Sequence, residues 1–345
     1  MPASGSHDWT RPGIYEVGDG IFRIPLSMPN DGLRAVNVYA VISDDELGLV
    51  DGGWADPNAQ QELAAALARI GRSIDRIATI AVTHAHRDHY TLAVSLRARY
   101  GSRIALGRRE GPTIAAMIDG SGRGLDSQGG RLIAADAADL LHQLAGSGSR
   151  APQGYVTEEF GLPDRWLDDG DPVRTGSRTL RAVHTPGHTD GHMVFVEETA
   201  RLLFSGDHIL PTITPSVGFE PRPTPDPLGA YLESLRIIAD GPALGLLPSH
   251  GPVIDDAGRR ARELIDHHAE RLDRIRMLCA DGLRTARAIA HASTWTRRDR
   301  RFHELGLFDQ VLAVVETLVH LDHLAFRGEL RCGTGKAGPN IYTTE

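Results

Sequence analysis

Between residues 82 and 90 the chain reads VTHAHRDHY, which packs His84, His86, Asp88 and His89 into six positions. Imidazole and carboxylate donors suit zinc, and also iron or manganese, so a cluster this dense points to half of a metal site. His84 and His86, two apart, can face one cation; Asp88 and His89 follow where the chain has turned and can face a second. Partners lie downstream. HTPGHTDGH (184–192) sets His188 at the apex of a turn forced by Pro186-Gly187. FSGDHIL and LLPSHGPVI supply Asp207 and His250, each just after an apolar run. Four separate strand-to-loop junctions each deliver a ligand-type side chain, a pattern that a merely histidine-rich surface does not produce.

The elements that must position these residues are legible in the hydrophobic periodicity. GIFRIPL, AVNVYAVI and LGLVDGG read as strands of a meander. NAQQELAAALARIG (58–71) predicts an amphipathic helix closed by Gly71. IDRIATIAV is a strand running straight into the histidine cluster, which is expected on a loop; TLAVSLRARYG (91–101) is a second helix. Between 107 and 160 Gly, Ser, Asp and Ala dominate around one helical stretch, LIAADAADLLHQLAG. This predicts an insertion of one or two helices on flexible arms, DGSGRGLDSQGG and LAGSGSRAPQG, of the kind that forms lids. Strands resume over 179–210, LGAYLESLRIIADG (228–241) is helical, and from about 256 the pattern stays helical until a Gly-rich, hairpin-like tail. The order strands, helices, strands, helices suits a layered α/β domain followed by an α-rich one.

Composition narrows the function classes. With 345 residues, 41% hydrophobic and 24% charged, the chain has the make-up of a globular protein large enough for two domains. A net charge of −8 argues against general nucleic-acid binding. No stretch has the ~18 uninterrupted apolar residues of a membrane span, and the first residues lack a signal-peptide pattern, so a cytoplasmic protein without membrane attachment is expected. Two cysteines, Cys279 and Cys332, are too few for a thiolate-rich zinc site.

The set His84-Ala-His86-Arg-Asp88-His89, His188, Asp207 and His250 resembles the motif signature of the metallo-β-lactamase superfamily, in the family's order and over roughly residues 14–260. The resemblance implies an αβ/βα sandwich in the α/β class, with a two-metal site along one edge of its sheets. By position, His84, His86 and His188 would bind one metal; Asp88, His89 and His250 would bind the other; Asp207 would bridge them. Asp51, in LVDGGW (49–54), would support the site without ligating. The implied cofactor is a pair of divalent cations, zinc first, iron or manganese as alternatives. The implied reaction is hydrolysis by a metal-bridging hydroxide, with Asp88 orienting the nucleophile. Asp at 207, where the best-known zinc β-lactamases carry Cys, points away from antibiotics and toward glyoxalase II-like, lactonase and nuclease branches.

Among the other histidines, His192 is expected to support the site rather than ligate, and His208 and His184 to be structural neighbours. His267 and His268 are open between a solvated pair and a support for a ligand. Residues 261–345 resemble the winged-helix domain of one lactamase-like branch, a branch that includes endoribonucleases. Their 13 Lys plus Arg against 12 Asp plus Glu fit a packing element better than a nucleic-acid binder. WTRRDRR (295–301) is the one basic cluster there, and VLAVVETLVHLDHLAF is apolar enough for a core or a homodimer interface. The Pro-rich segment after Asp207, with the insertion and the C-terminal helices, is expected to wall a pocket to which Phe219 and Tyr231 add apolar surface. Such a pocket suits a small acyl substrate, and the expected activity is thioesterase or esterase, on acyl-CoA-like molecules. A phosphodiesterase or endoribonuclease, or a lactonase, is the alternative.

Overall fold

The protein was analysed as a computed structural model, which describes residues 9–28, 32–122, 128–146, 160–296, 299–334 and 338–344. The chain opens with an antiparallel meander of β1 (Tyr15–Gly18), β2 (Ile21–Ser27), β3 (Ala35–Ser43) and β4 (Glu46–Val50). Asp56 caps α1 (Pro57–Ala68) by accepting from the Asn58 amide at 2.9 Å, with Pro57 in the first turn where its missing N–H costs nothing. β5 (Ile77–Val82), α2 (Arg87–Tyr100) and β6 (Arg103–Gly107) follow as a parallel crossover unit. The insertion carries three short helices, α3 (Gly111–Asp119), α4 (Gly129–Ala134) and α5 (Ala138–Gly146). Residues 123–127 of one expected arm and 147–154 of the other lie outside the described residues. β7 (Arg165–Leu167) completes a seven-stranded sheet in sequential order.

The second sheet holds β8 (Pro172–Thr175), β9 (Arg178–His184), β10 (Met193–Glu197) and β11 (Leu202–Gly206) as antiparallel neighbours. After α6 (Pro227–Ala239), β12 (Gly245–Pro248) adds in parallel beside β11. Then come α7 (Ala257–Ala280), α8 (Ala286–Ala292), the two-residue ribbon β13 (Thr294–Trp295) and β14 (Arg300–Arg301), α9 (Leu307–Phe326), and a hairpin of β15 (Arg331–Thr334) and β16 (Asn340–Thr343). Part of the basic WTRRDRR cluster, at 297–298, is outside the described residues.

Strand alternation sorts the side chains into layers. On β3, Val36, Val38 and Ala40 face the layer of α1 and α2, whereas Tyr39 and Val41 face the other sheet. On β10, Phe195 faces inward and Val194 and Val196 face α6. Burying a side chain such as Phe195 or Phe204 contributes about 1.5–3 kcal/mol. The outer core of the second sheet runs on without a break into α7, α8 and α9, so the C-terminal helical region packs on the α/β part through one apolar cluster. Val311, Val314, Val315 and Leu318 of α9 lie inside this cluster. Among the described residues no helix is long and apolar enough to cross a membrane.

Strand direction decides where the site forms. β4 and β5 run together in one sheet, and β9, β11 and β12 run together in the other. Their carboxyl ends meet along one edge, the position at which α/β folds collect ligands. Hydrogen bonds sew that seam: Met193 N donates to Thr83 O at 2.8 Å, Asn37 N to Ser249 O at 2.7 Å, and Tyr39 Oη to Pro248 O at 2.7 Å.

Candidate metal centre

The four junctions converge. His84 ends the stretch after β5, His86 is the N-cap of α2, and Asp88 and His89 lie in the first turn of that helix. The helix thus starts about four residues earlier than periodicity suggested, because the histidine motif is too polar to show an amphipathic face. His188 sits between β9 and β10, Asp207 follows β11, and His250 follows β12. Glycines let the chain come this close. Gly206 has φ +52°, and a Cβ there would stand 2.7 Å from His192 Nε2 and from Thr83 Cβ. Gly187 has φ +139°, and a Cβ there would collide with the backbone of Tyr231.

Two triads form. His188 Nε2 lies 3.2 Å from His84 Nε2 and 3.0 Å from His86 Nδ1. His250 Nε2 lies 3.2 Å, and His89 Nε2 3.4 Å, from Asp88 Oδ2. Asp207 spans them: its Oδ1 is 3.5 Å from His250 Nε2 and 3.7 Å from His89 Nε2, while its Oδ2 is 3.6 Å from His188 Nε2.

The surrounding hydrogen bonds decide whether these atoms suit cations. His188 Nδ1 donates to the Ser216 carbonyl at 2.7 Å, so its Nε2 holds only a lone pair. The Thr83 hydroxyl donates to Asp51 and meets His84 Nδ1 at 3.0 Å as acceptor, which leaves His84 Nε2 bare as well. Lone pairs this close repel one another unless a positive charge lies between them. In the other triad His89 Nδ1 bonds Asp51 Oδ2 at 2.9 Å and His250 Nδ1 bonds Ala35 O at 2.8 Å. Their Nε2 atoms and Asp207 Oδ1 are buried and have no hydrogen-bond partner among the described residues. Orphaned donors, each oriented from behind by an acceptor on the far ring nitrogen, are the arrangement of metal-ligating histidines. The donor set fits divalent cations.

Electrostatics separates the triads. Burial, reinforced by the neighbouring imidazoles, pushes His84 well below the usual histidine range. Burial also takes His86 to about 3 and His188 to about 4, so all three are neutral, the form that ligates. For His89 burial works the same way, but Asp88, Asp51 and Asp207 outweigh it and raise its pKa well above normal. His250 is raised too, Asp207 and Asp88 overcoming burial. Burial favours the neutral form of Asp88, yet His89 and His250 hold its carboxyl well below the usual range.

The other expected residues fall into place around this centre. Asp51 accepts from Thr83 N at 2.8 Å and from Ser249 Oγ at 3.1 Å besides meeting His89. His192 accepts from the Asp207 amide at 3.2 Å through Nε2 and bonds Thr185 Oγ1 through Nδ1 at 3.1 Å, so it supports rather than faces the cluster. His184 bonds Asp190 O at 2.7 Å. His208 is buried edge-on against Tyr231. Tyr231 itself corrects an expectation: it is fully buried, its hydroxyl on the His208 carbonyl at 2.8 Å, and so braces the wall from behind. Its place on the inward face of α6 explains this. Phe219 is partly buried and meets Phe308 edge-on with ring centroids 6.1 Å apart. His268 is buried, bonded to His320 at 3.0 Å and edge-on to Tyr231, and so not a solvated residue.

A family model for the metallo-beta-lactamase superfamily matches residues 31–250. This chain belongs to that superfamily. A crystal structure of a metallo-beta-lactamase family protein from Thermus thermophilus is similar with a TM-score of 0.72 and 27% identity, covering 94% of this chain and 99% of that one. The lactamase-like protein nscB of Aspergillus fumigatus is 39% identical over 118 residues, a third of each chain. An atrochrysone carboxyl ACP thioesterase of Paecilomyces divaricatus is 33% identical over 175 residues, 47% of this chain and 52% of that protein. The chain therefore matches about a third to a half of the length of these curated relatives.

Several supports of this lactamase-like centre carried little signal in the sequence. Ser216 and Ala35 act through backbone carbonyls, which no side chain announces. Ser249 was visible only as the neighbour of His250. Trp9 lies edge-on to the His250 ring at 6.5 Å between centroids, and nothing in its local sequence foretells that.

Proposed function

We propose that the protein is a dinuclear metal-dependent hydrolase of a thioester or ester, with a small acyl group as substrate. The observation that carries the two-metal reading is Asp207, whose two carboxylate oxygens point to different triads. His84, His86 and His188 would hold one cation, Asp88, His89 and His250 the second, with zinc the best match to the donors. Bound there, the cations would supply an activated water at neutral pH and polarise the acyl carbonyl.

The chain's own residues do the rest. The side chains of Asp88 and Asp207 keep 16% and 11% of their surface exposed, against 0–4% for His89, His188 and His250, so the carboxylates are the more accessible of these groups. Asp88, kept ionised, accepts a hydrogen bond from the attacking water and aims it at the carbonyl carbon. Asp51 and His192 hold His89 and Asp207 in register, the latter through its backbone.

The thioester preference rests on the thioesterase named among the relatives. It is tested by thiol release from a panel of acyl-CoA thioesters with zinc-loaded protein. Turnover of one acyl class is the expected result. Silence across the panel, together with cleavage of RNA or of a lactone, would replace the thioester reading by the phosphodiesterase or lactonase one.

A further inference from the structure

We propose that α9, in the C-terminal helical region, is a positioning element for the metal-site histidine His188, acting through the pair His323–Asp226. The inference rests on the two-metal reading above.

His323 of α9 is almost fully buried, and its Nδ1 lies 3.0 Å from both carboxylate oxygens of Asp226. Asp226 is the residue at which two supports of His188 begin. In one direction it caps α6, accepting from Gly229 N at 3.0 Å. The helix it starts presents Ser234, whose hydroxyl donates to Pro186 O at 2.9 Å, and Tyr231, whose backbone fills the space left by the missing side chain of Gly187. Pro186 and Gly187 are the two residues immediately before His188. In the other direction Asp226 ends the Pro-rich segment that follows β11. The Ser216 carbonyl in that segment accepts from His188 Nδ1, Gly218 N donates to Gly187 O at 2.9 Å, and Glu220 Oε1 accepts from Asp190 N at 2.8 Å.

Both supports therefore converge on residues 186–190 and share one anchor on α9. The other ligand-type histidine carried by the second sheet, His250, is held differently, by Ala35 O of β3. Losing the anchor should release His188 and leave the Asp88, His89 and His250 cluster alone. A contiguous chain of hydrogen bonds and close packing is a physical route for such coupling, and variants measure whether it operates. Partners one step behind a metal ligand typically change affinity about 10–100-fold, and an anchor further behind should act at or below the lower end, about 3–10-fold.

The test is zinc retained per full-length chain at a series of buffered free-zinc levels, with folding checked by circular dichroism. Wild type, His323→Leu, His323→Asn and Val319→Ala are compared. Val319 is buried on the same helix and has no polar group to offer Asp226, and its truncation destabilises α9 by a similar route of lost packing. His323→Leu should lose one of two zinc ions at about 3–10-fold higher free zinc than wild type, with the second retained as in wild type. His323→Asn, which can still donate to Asp226, should recover most of the loss, and Val319→Ala should bind as wild type. Equal retention by His323→Leu and wild type would overturn the proposal, as would an equal loss in Val319→Ala. A wild type that binds fewer than two zinc ions would instead overturn the two-metal reading on which it rests.

Discussion

Asp51 Oδ2 and His89 Nδ1 stand 2.9 Å apart with both side chains buried, although Asp51 occupies left-handed backbone space at φ +61°. A non-glycine residue in that region costs of order 1–3 kcal/mol and persists only where its surroundings over-determine it. Here they do. Thr83 N, the Thr83 hydroxyl, Ser249 Oγ and His89 all converge on one carboxylate. One residue thus links β4, β5, α2 and the β12 end that carries His250.

Truncating this carboxylate should therefore weaken metal binding more than it weakens the fold. Asp51→Ala is expected to lower zinc affinity by about 10–100-fold, the range for outer partners of ligating histidines. Competition with a chromophoric chelator measures it. Unchanged affinity would assign Asp51 to folding alone.

Gly187→Ala tests the close approach under His188. The new methyl group meets the Tyr231 backbone, and the φ of +139° suits glycine alone. Strain and overpacking together should cost about 2–4 kcal/mol in urea unfolding. The same substitution at Gly71, where a Cβ meets nothing within 4 Å, carries only the backbone part of that cost because its φ is +69°. A Gly187→Ala loss no larger than that of Gly71→Ala would contradict the packing argument.

A pH dependence follows from the buried pair Glu110 and Glu220. Burial pushes Glu110 up to about 7, and burial together with Glu110 pushes Glu220 up to about 8. Both folded values exceed the unfolded 4.5, so between them the folded chain binds more protons than the unfolded one. Stability from this pair is full below pH 4.5 and falls as pH rises through about 7 and 8. Urea midpoints measured from about pH 5 to about pH 9 should decline for wild type and decline less for Glu220→Gln. Parallel curves for the two proteins would remove the pair as the source.

How much of this was legible in the sequence depends on which atoms do the work. The seven ligand-type residues announce themselves because cation chemistry admits few side chains and each follows an apolar strand. The sandwich came from the resemblance those residues carry, because β3 and β10 are apolar on both faces and their periodicity supports only a layered α/β domain. The start of α2 was not, because polar His86, Asp88 and His89 occupy its first turn and hide the period. Tyr231 read as pocket surface because an aromatic near a Pro-rich segment looks the same whether it lines a cavity or backs it; the helix face decides, and Gly187 is its partner. Ser216, acting through its carbonyl, left no trace at all.

Hydrolysis of an acyl substrate by this protein would need two cations, held by the two triads and Asp207. Zinc titration of chelator-stripped protein tests it most directly, with thiol release from an acyl thioester as the readout and Asp207→Asn alongside. Activity should be absent without metal, should rise until about two equivalents are bound, and should drop at least about 100-fold in Asp207→Asn while its fold is kept. Full turnover by the stripped protein, saturation at a single equivalent, or full turnover by Asp207→Asn would each contradict it.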